Sequence, residues 1–259
     1  MLGLGGSIGT HPGGITAETV AVESFDELDS LGADKVKGRI VVYAVPWEGY
    51  GKTVAYRGNG AIRGAQRGAA AVLVRSAGPL GQRTPHTGAM RYQDGVARIP
   101  AAGISAEDAM MLLRLYRAGT PATVRLEMGA RTWPDARGAN VIAEWRGSQQ
   151  PEEIVVLGGH FDSWDAGQGA HDDGAACIAA WTAVKLLKDL NLRARRTVRV
   201  VLWANEENGL RGGRAYREWI GDRVKDHVAA IEMDGGCEKP SGFGLTIPNA
   251  APPVQDRGM

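Results

Sequence analysis

His160, Asp172, Glu206, Glu207 and Asp234 are the residues of this sequence whose types and spacing could do chemistry together. One imidazole and several carboxylates make the donor set of a borderline cation such as zinc. If one carboxylate bridges two such ions, the pair can hold a water and lower its pKa. A further carboxylate kept free of metal can then take the proton. Each residue also has an ordinary reading. A His after a strand is often a hydrogen-bonded structural group, and Asp172-Asp173-Gly174 before a helix can be an N-cap that complements the helix dipole. Glu206-Glu207 can be solvated, and Asp234-Gly235-Gly236 can be a simple turn. Position weakens the ordinary readings, because each group lies just past an apolar run.

Those runs are the elements that must position the groups. Ile154–Leu157 has the length and β-branching of a buried strand and leads through Gly158-Gly159 to His160. Thr197–Trp203 is a second such run, ending at Ala204-Asn205-Glu206-Glu207, and Val228–Met233 is a third, ending at Asp234. Parallel neighbours in one sheet bring their carboxyl ends to one edge, where α/β proteins place their chemistry. Between the first two runs the spacing predicts a helix from about Gly174 to Leu190, with Cys177, Ile178, Trp181, Val184, Leu187 and Leu190 on its apolar face. Cys177 reads as a packed thiol, and Cys237 as structural. Asn140–Trp145 adds a strand and Gly212–Ile220 a short helix.

Upstream, the pattern is a separate α/β unit with a boundary near residue 131, where the Pro134-Asp135 turn follows. It predicts strands at Arg39–Val45, Ala70–Val74, Ile99–Ile104 and Ala122–Met128, and a short Gly-broken helix at Asn59–Gly68. Ser105 with Asp108 three residues on resembles a cap, ahead of a stripe of Met110, Met111, Leu113 and Leu115. Residues 1–16 are Gly-rich and read as the end of something else.

Composition narrows the partners. Lys plus Arg is 30 against 29 for Asp plus Glu, so no basic field points to nucleic acid. No apolar run is long enough to span a bilayer. The opening residues lack the basic start and apolar core of a signal peptide. With Cys177 and Cys237 as its cysteines, the chain cannot hold a disulfide framework.

The words His160-Phe161-Asp162-Ser163-Trp164-Asp165, Gly167-Gln168-Gly169-Ala170, Asp172-Asp173-Gly174 and Leu202-Trp203-Ala204-Asn205-Glu206-Glu207 resemble the carboxypeptidase Q family of di-zinc exopeptidases. Met1-Leu2-Gly3-Leu4-Gly5, Ser7-Ile8-Gly9-Thr10, His86-Thr87-Gly88 and Tyr92-Gln93-Asp94-Gly95 resemble it too, so the likeness runs from residue 1 to about 240. It implies a three-layer αβα zinc-exopeptidase domain, with a mixed, largely parallel sheet that is incomplete here, and an inserted α/β protease-associated domain. The expected division is 1–14 as a remnant of the peptidase domain, 15–130 as the protease-associated domain and 131–259 as the di-zinc domain. The implied roles follow the matching residues. His160 and Asp234 are terminal ligands of one zinc, and Asp172 bridges both ions. Glu207 is a ligand of the second ion. Glu206 is the general base, and the Asp162 carboxylate orients the His160 ring. The peptide bond before Asp173 is expected to be cis.

The resemblance implies an exopeptidase acting on short peptides, dipeptides with free termini, with two zinc ions per complete site. It also implies a homodimer when full length, with a secreted or otherwise extracytoplasmic location. Two rival readings are a peptidase-like binding protein without catalysis and a di-zinc aminopeptidase of the same superfamily. The neighbouring amidohydrolases with an inserted dimerisation domain fit Asp172-Asp173-Gly174 less well. The family's final His ligand to the second zinc is missing, since no His follows Asp234. His171 adjoins the bridging Asp172, and His227 precedes its strand, so neither is expected to replace it. The expectation is therefore a fragment lacking both flanks, inactive alone and binding about one zinc.

Overall fold

The computed structural model describes residues 1–81 and 83–235. These fall into two compact units. The first holds Met1–Arg137 with residues 164–168 and 207–209, and the second holds the remainder.

The first unit is built on a six-stranded sheet in the order β1-β5-β4-β3-β2-β6. Its strands are β1 (Leu2–Gly3), β2 (Ile15–Val22), β3 (Ile40–Tyr43), β4 (Ala71–Arg75), β5 (Ala101–Ile104) and β6 (Thr123–Leu126). β2 to β5 run parallel, and β1 and β6 close the edges antiparallel. One face buries α1 (Phe25–Leu31), α2 (Ala33–Val36) and α3 (Tyr50–Gln66), through Leu28, Val36 and Ala61 among others. The other face takes α4 (Ala106–Arg117), through Ala109, Leu112 and Leu113. The Ser105 hydroxyl accepts the Asp108 N–H at 3.1 Å, as its spacing predicts.

Two readings of this unit need correction. The helix expected at Asn59–Gly68 begins at Tyr50, and its glycines do not break it. A Cβ on Gly60 would come within 2.8 Å of the Tyr43 ring, and one on Gly64 within 2.7 Å of Val72. These glycines recess one face so that helix and sheet can approach. The α4 stripe is also different: Met110, Met111 and Leu115 are exposed, and Ala109 with Leu112 takes the sheet-facing places. Strand β2 and helix α1 were not foreseen.

The second unit is a four-stranded sheet in the order β10-β8-β9-β7. Its elements are β7 (Val141–Trp145), β8 (Gln150–His160), α5 (Ala175–Asp189), β9 (Arg196–Trp203), α6 (Arg211–Ile220) and β10 (His227–Glu232). β8 runs parallel to β9 and β10, and β7 runs antiparallel to β9. α6 packs Tyr216 and Ile220 on Val156 and Val201, with Trp203 beside them. Pleating puts Gly158 on the face of Val156, where a Cβ would strike the Trp203 ring, and Gly159 on the opposite face, toward α5. Helices therefore cover both faces of a mixed sheet, as the three-layer expectation requires.

The α5 reading is corrected as well. Ala176, Cys177 and Ala180 face the sheet, whereas Ile178, Trp181 and Leu190 are at least half exposed. A Cβ on Gly159 would lie 2.9 Å from the Ala176 Cβ. The approach is too close for the larger side chains, so the small ones take the inner face. Among the described residues no helix is long and apolar enough to cross a membrane.

Candidate metal centre

Three parallel strands end side by side. His160 pairs with Trp203 at the ends of β8 and β9, and Glu232 at the end of β10 lies opposite Gly158. The chain then supplies Asp234 two residues past β10 and Glu206 three residues past β9. His160 is 1% exposed. Its Nε2 lies 3.1 Å from an Asp172 carboxylate oxygen and 3.3 Å from one of Asp234. The sheet thus brings together the three groups predicted to share one ion.

The imidazole is oriented from behind. The Asp162 backbone carbonyl lies 3.0 Å from Nδ1 and suits acceptance of its proton, which leaves the Nε2 lone pair facing the carboxylates. The carboxylate of Asp162, expected to do this, is 3.7 Å from Nδ1. It instead accepts the Glu206 N–H at 2.9 Å, so it ties the β9 loop to the β8 loop. Chain geometry explains the choice: a carbonyl two residues beyond the His can reach back to its own ring.

Glu206 is fixed by its loop. Asn205 turns the chain with φ of 56°, in the left-handed region that Asn tolerates. The Ala204 N–H bonds the Asn140 side-chain oxygen at 3.0 Å, and Gly212 N–H bonds the Ala204 carbonyl at 2.8 Å. A Cβ on Gly212 would lie 2.4 Å from that carbonyl, so only glycine fits. Glu207 directly follows Glu206 and groups with the first unit. Of the other histidines considered, His227 opens β10, and its Nε2 lies 2.8 Å from the Tyr216 hydroxyl.

Asp173 was not predicted as a ligand. It is fully buried, and the Asp172–Asp173 peptide bond is cis. One of its oxygens accepts the His160 N–H at 3.0 Å, while the other has no hydrogen-bond partner. His160, Asp173 and Asp234 can each present one ligand atom within 4.8 Å of the others. The doubled Asp172-Asp173 was the available signal.

Burial pushes the Asp173 and Glu206 carboxyls above their ordinary values, and the Asp234 carboxylate adds to both shifts. Burial opposes a charged His160, but the Asp162 carbonyl and the carboxylates of Asp234, Asp173 and Asp162 outweigh it and raise its pKa. Burial, then the Asp173 charge, pushes the Cys177 thiol up to about 11, in keeping with an inert packed thiol. Cys237 lies outside the described residues. An imidazole with a directed lone pair, converging carboxylates and a buried unpaired carboxylate oxygen fit a bound cation.

The model for Peptidase family M28 matches residues 140–255. Carboxypeptidase Q of Mus musculus is 48% identical over 95% of this chain and 52% of its own length. That of Homo sapiens is 44% identical over 100% of this chain and 55% of its own.

Residues 140–255 carry the sequence of a Peptidase family M28 domain.

The crystal structure of a Peptidase M28 precursor from Shewanella amazonensis SB2B superposes with a TM-score of 0.84 at 38% identity, over 90% of this chain and 54% of that one. A zinc aminopeptidase from Bacillus subtilis shares the fold, with a TM-score of 0.62 at 20% identity, over 90% of this chain and 52% of that one. The chain spans about half the length of the curated carboxypeptidase Q relatives it matches.

Proposed function

We propose that the protein to which this chain belongs is a zinc metallopeptidase of the carboxypeptidase Q type, hydrolysing short peptides with two zinc ions. The observation that carries the reading is His160, with Nε2 within 3.3 Å of both Asp172 and Asp234 and its ring backed by a carbonyl. Support also comes from the carboxypeptidase Q relatives at 44% to 48% identity and from the zinc aminopeptidase that shares the fold.

In this reading His160, Asp172 and Asp234 would hold one ion, and Asp172 with Glu207 would serve the second. Bound zinc supplies Lewis-acid polarisation of a carbonyl and an acidified water. Glu206 accepts the proton of the attacking water and passes it to the leaving amine. Its raised pKa suits that role, since a base works best when its pKa approaches the working pH. Asp162 holds both partners, His160 through its carbonyl and Glu206 through its carboxylate. Dipeptide preference, homodimer formation and an extracytoplasmic location are parts of the same proposal, as is reading residues 15–130 as an inserted protease-associated domain.

The test is zinc content by mass spectrometry on the purified 259-residue chain and its His160→Ala and Glu206→Gln variants. Zinc should be held by the parent and by Glu206→Gln and lost from His160→Ala. A parent chain that takes up no zinc, or a His160→Ala chain that keeps it, sinks the reading.

A further inference from the structure

The carboxyl edge of the first unit's sheet holds a second candidate site, remote in chemistry from the metal centre. A cavity of about 510 Å³ opens where β2, β3 and β4 end against α4. That edge is where open parallel sheets bind ligands, and the volume suits a molecule of one or two residues. Trp47, Leu80, Met110 and Leu113 give it apolar walls. The first three of these are exposed, so the walls are open to a ligand.

Its charged lining is three arginines, Arg75, Arg114 and Arg117, and one carboxylate, Glu23. Arg75 lines the cavity and is only 4% exposed. One guanidinium nitrogen donates to the Ser76 carbonyl at 2.7 Å, and the group sits 5.5 Å over the Trp47 ring. The nearby carboxylates already have partners, Glu23 within the lining itself. Glu107 accepts the Gly81 N–H at 2.7 Å, Asp108 pairs with Arg83, and Glu23 pairs with Arg117. Among the described residues no ion pair involves Arg75 or Arg114, which also lines the cavity. Glu107 acts on Arg75 only at longer range, and a buried guanidinium that makes no ion pair is costly to keep, so a carboxylate ligand would relieve that cost through charge-assisted hydrogen bonds.

We propose that this cavity binds a small apolar monocarboxylate, of the kind presented by an apolar C-terminal residue, with its carboxylate on Arg75 and Arg114 and its side chain against Trp47, Leu80 and Met110. The charge balance selects an anion, and the walls select an apolar body. A ligand of this size should bind with a dissociation constant on the order of 1 mM.

The test is calorimetric titration of the full 259-residue chain, kept in chelator so that no metal competes for the acid. N-acetyl-L-leucine should bind saturably, and N-acetyl-L-leucinamide, which lacks the charge, at least tenfold more weakly. Arg75→Gln should weaken binding of the acid more than tenfold, with folding checked by circular dichroism. Should Arg75→Gln fail to fold, Arg114→Gln and Leu80→Asp at the exposed lip should each weaken the acid several-fold. The proposal is overturned if the amide binds as well as the acid, if no saturable binding occurs by tens of millimolar, or if folded variants bind like the parent. Because metal is absent throughout, this outcome is independent of the peptidase reading.

Discussion

The two sheets of this chain differ in how they spend their side chains. In the first unit every residue of β3 and β4 is buried, and apolar clusters lie on both faces. In the second, β7 and β10 are almost wholly exposed, and one apolar cluster gathers only Val156, Val201, Tyr216 and Ile220 as buried members. Yet the second unit carries the His and carboxylates at its strand ends. Apolar burial stabilises in proportion to area, at roughly 25 cal/mol per Å². Buried carboxylates oppose folding unless a cation or proton joins them. The contrast separates a unit held by its core from one whose best-ordered groups need a ligand.

The sharpest break of that contrast comes from the proposed base. In a chain with measurable peptidase activity, Glu206→Gln should lower turnover by about 10²–10⁴-fold while zinc content and melting temperature hold. Loss of zinc instead would make Glu206 a ligand and reverse the roles assigned along the β9 loop. The next largest effect lies in the other unit. Leu28, fully buried on the inner face of α1, should cost about 2–5 kcal/mol on replacement by Ala, read from chemical unfolding of the first unit. Ile231→Ala on exposed β10 should stay within about 0.5 kcal/mol. Equal costs would erase the distinction between the units.

A smaller effect tests the ligand dependence directly. In the metal-free chain the folded pKa values of His160, Asp173 and Glu206 all lie above their ordinary values. The folded state therefore holds more protons than the unfolded one, and stability falls as pH rises through the raised values. Protection factors in β8, taken relative to intrinsic exchange at each pH, should be higher near pH 5 than near pH 8. Saturating zinc should flatten or reverse that dependence, because the ion replaces the protons. A zinc-free chain more protected at pH 8 would contradict the cause assigned to the shifts. The smallest change is Ser105→Ala, which removes the α4 cap and should cost about 1 kcal/mol, in the first unit alone.

What could be read from the sequence was whatever depends on near neighbours along the chain. The strand-end positions of His160, Glu206 and Asp234 follow from apolar runs and their stops. The Ser105 cap follows from a three-residue spacing that any helix start imposes. Strand β8 begins at Gln150 rather than Ile154, because the β9 ladder reaches across an irregularity that accommodates Pro151. Only the tertiary structure decided which helix face meets the sheet. Residues three and four apart offer several apolar stripes on α4 and α5, and the recessed Gly159 on β8 admits only the small side chains of α5. Only it set the Asp162 carbonyl behind His160, left one Asp173 oxygen unpaired, and placed Arg75 over the Trp47 ring. Such contacts depend on how loops and strands meet in three dimensions, and no local period or cap carries information about them.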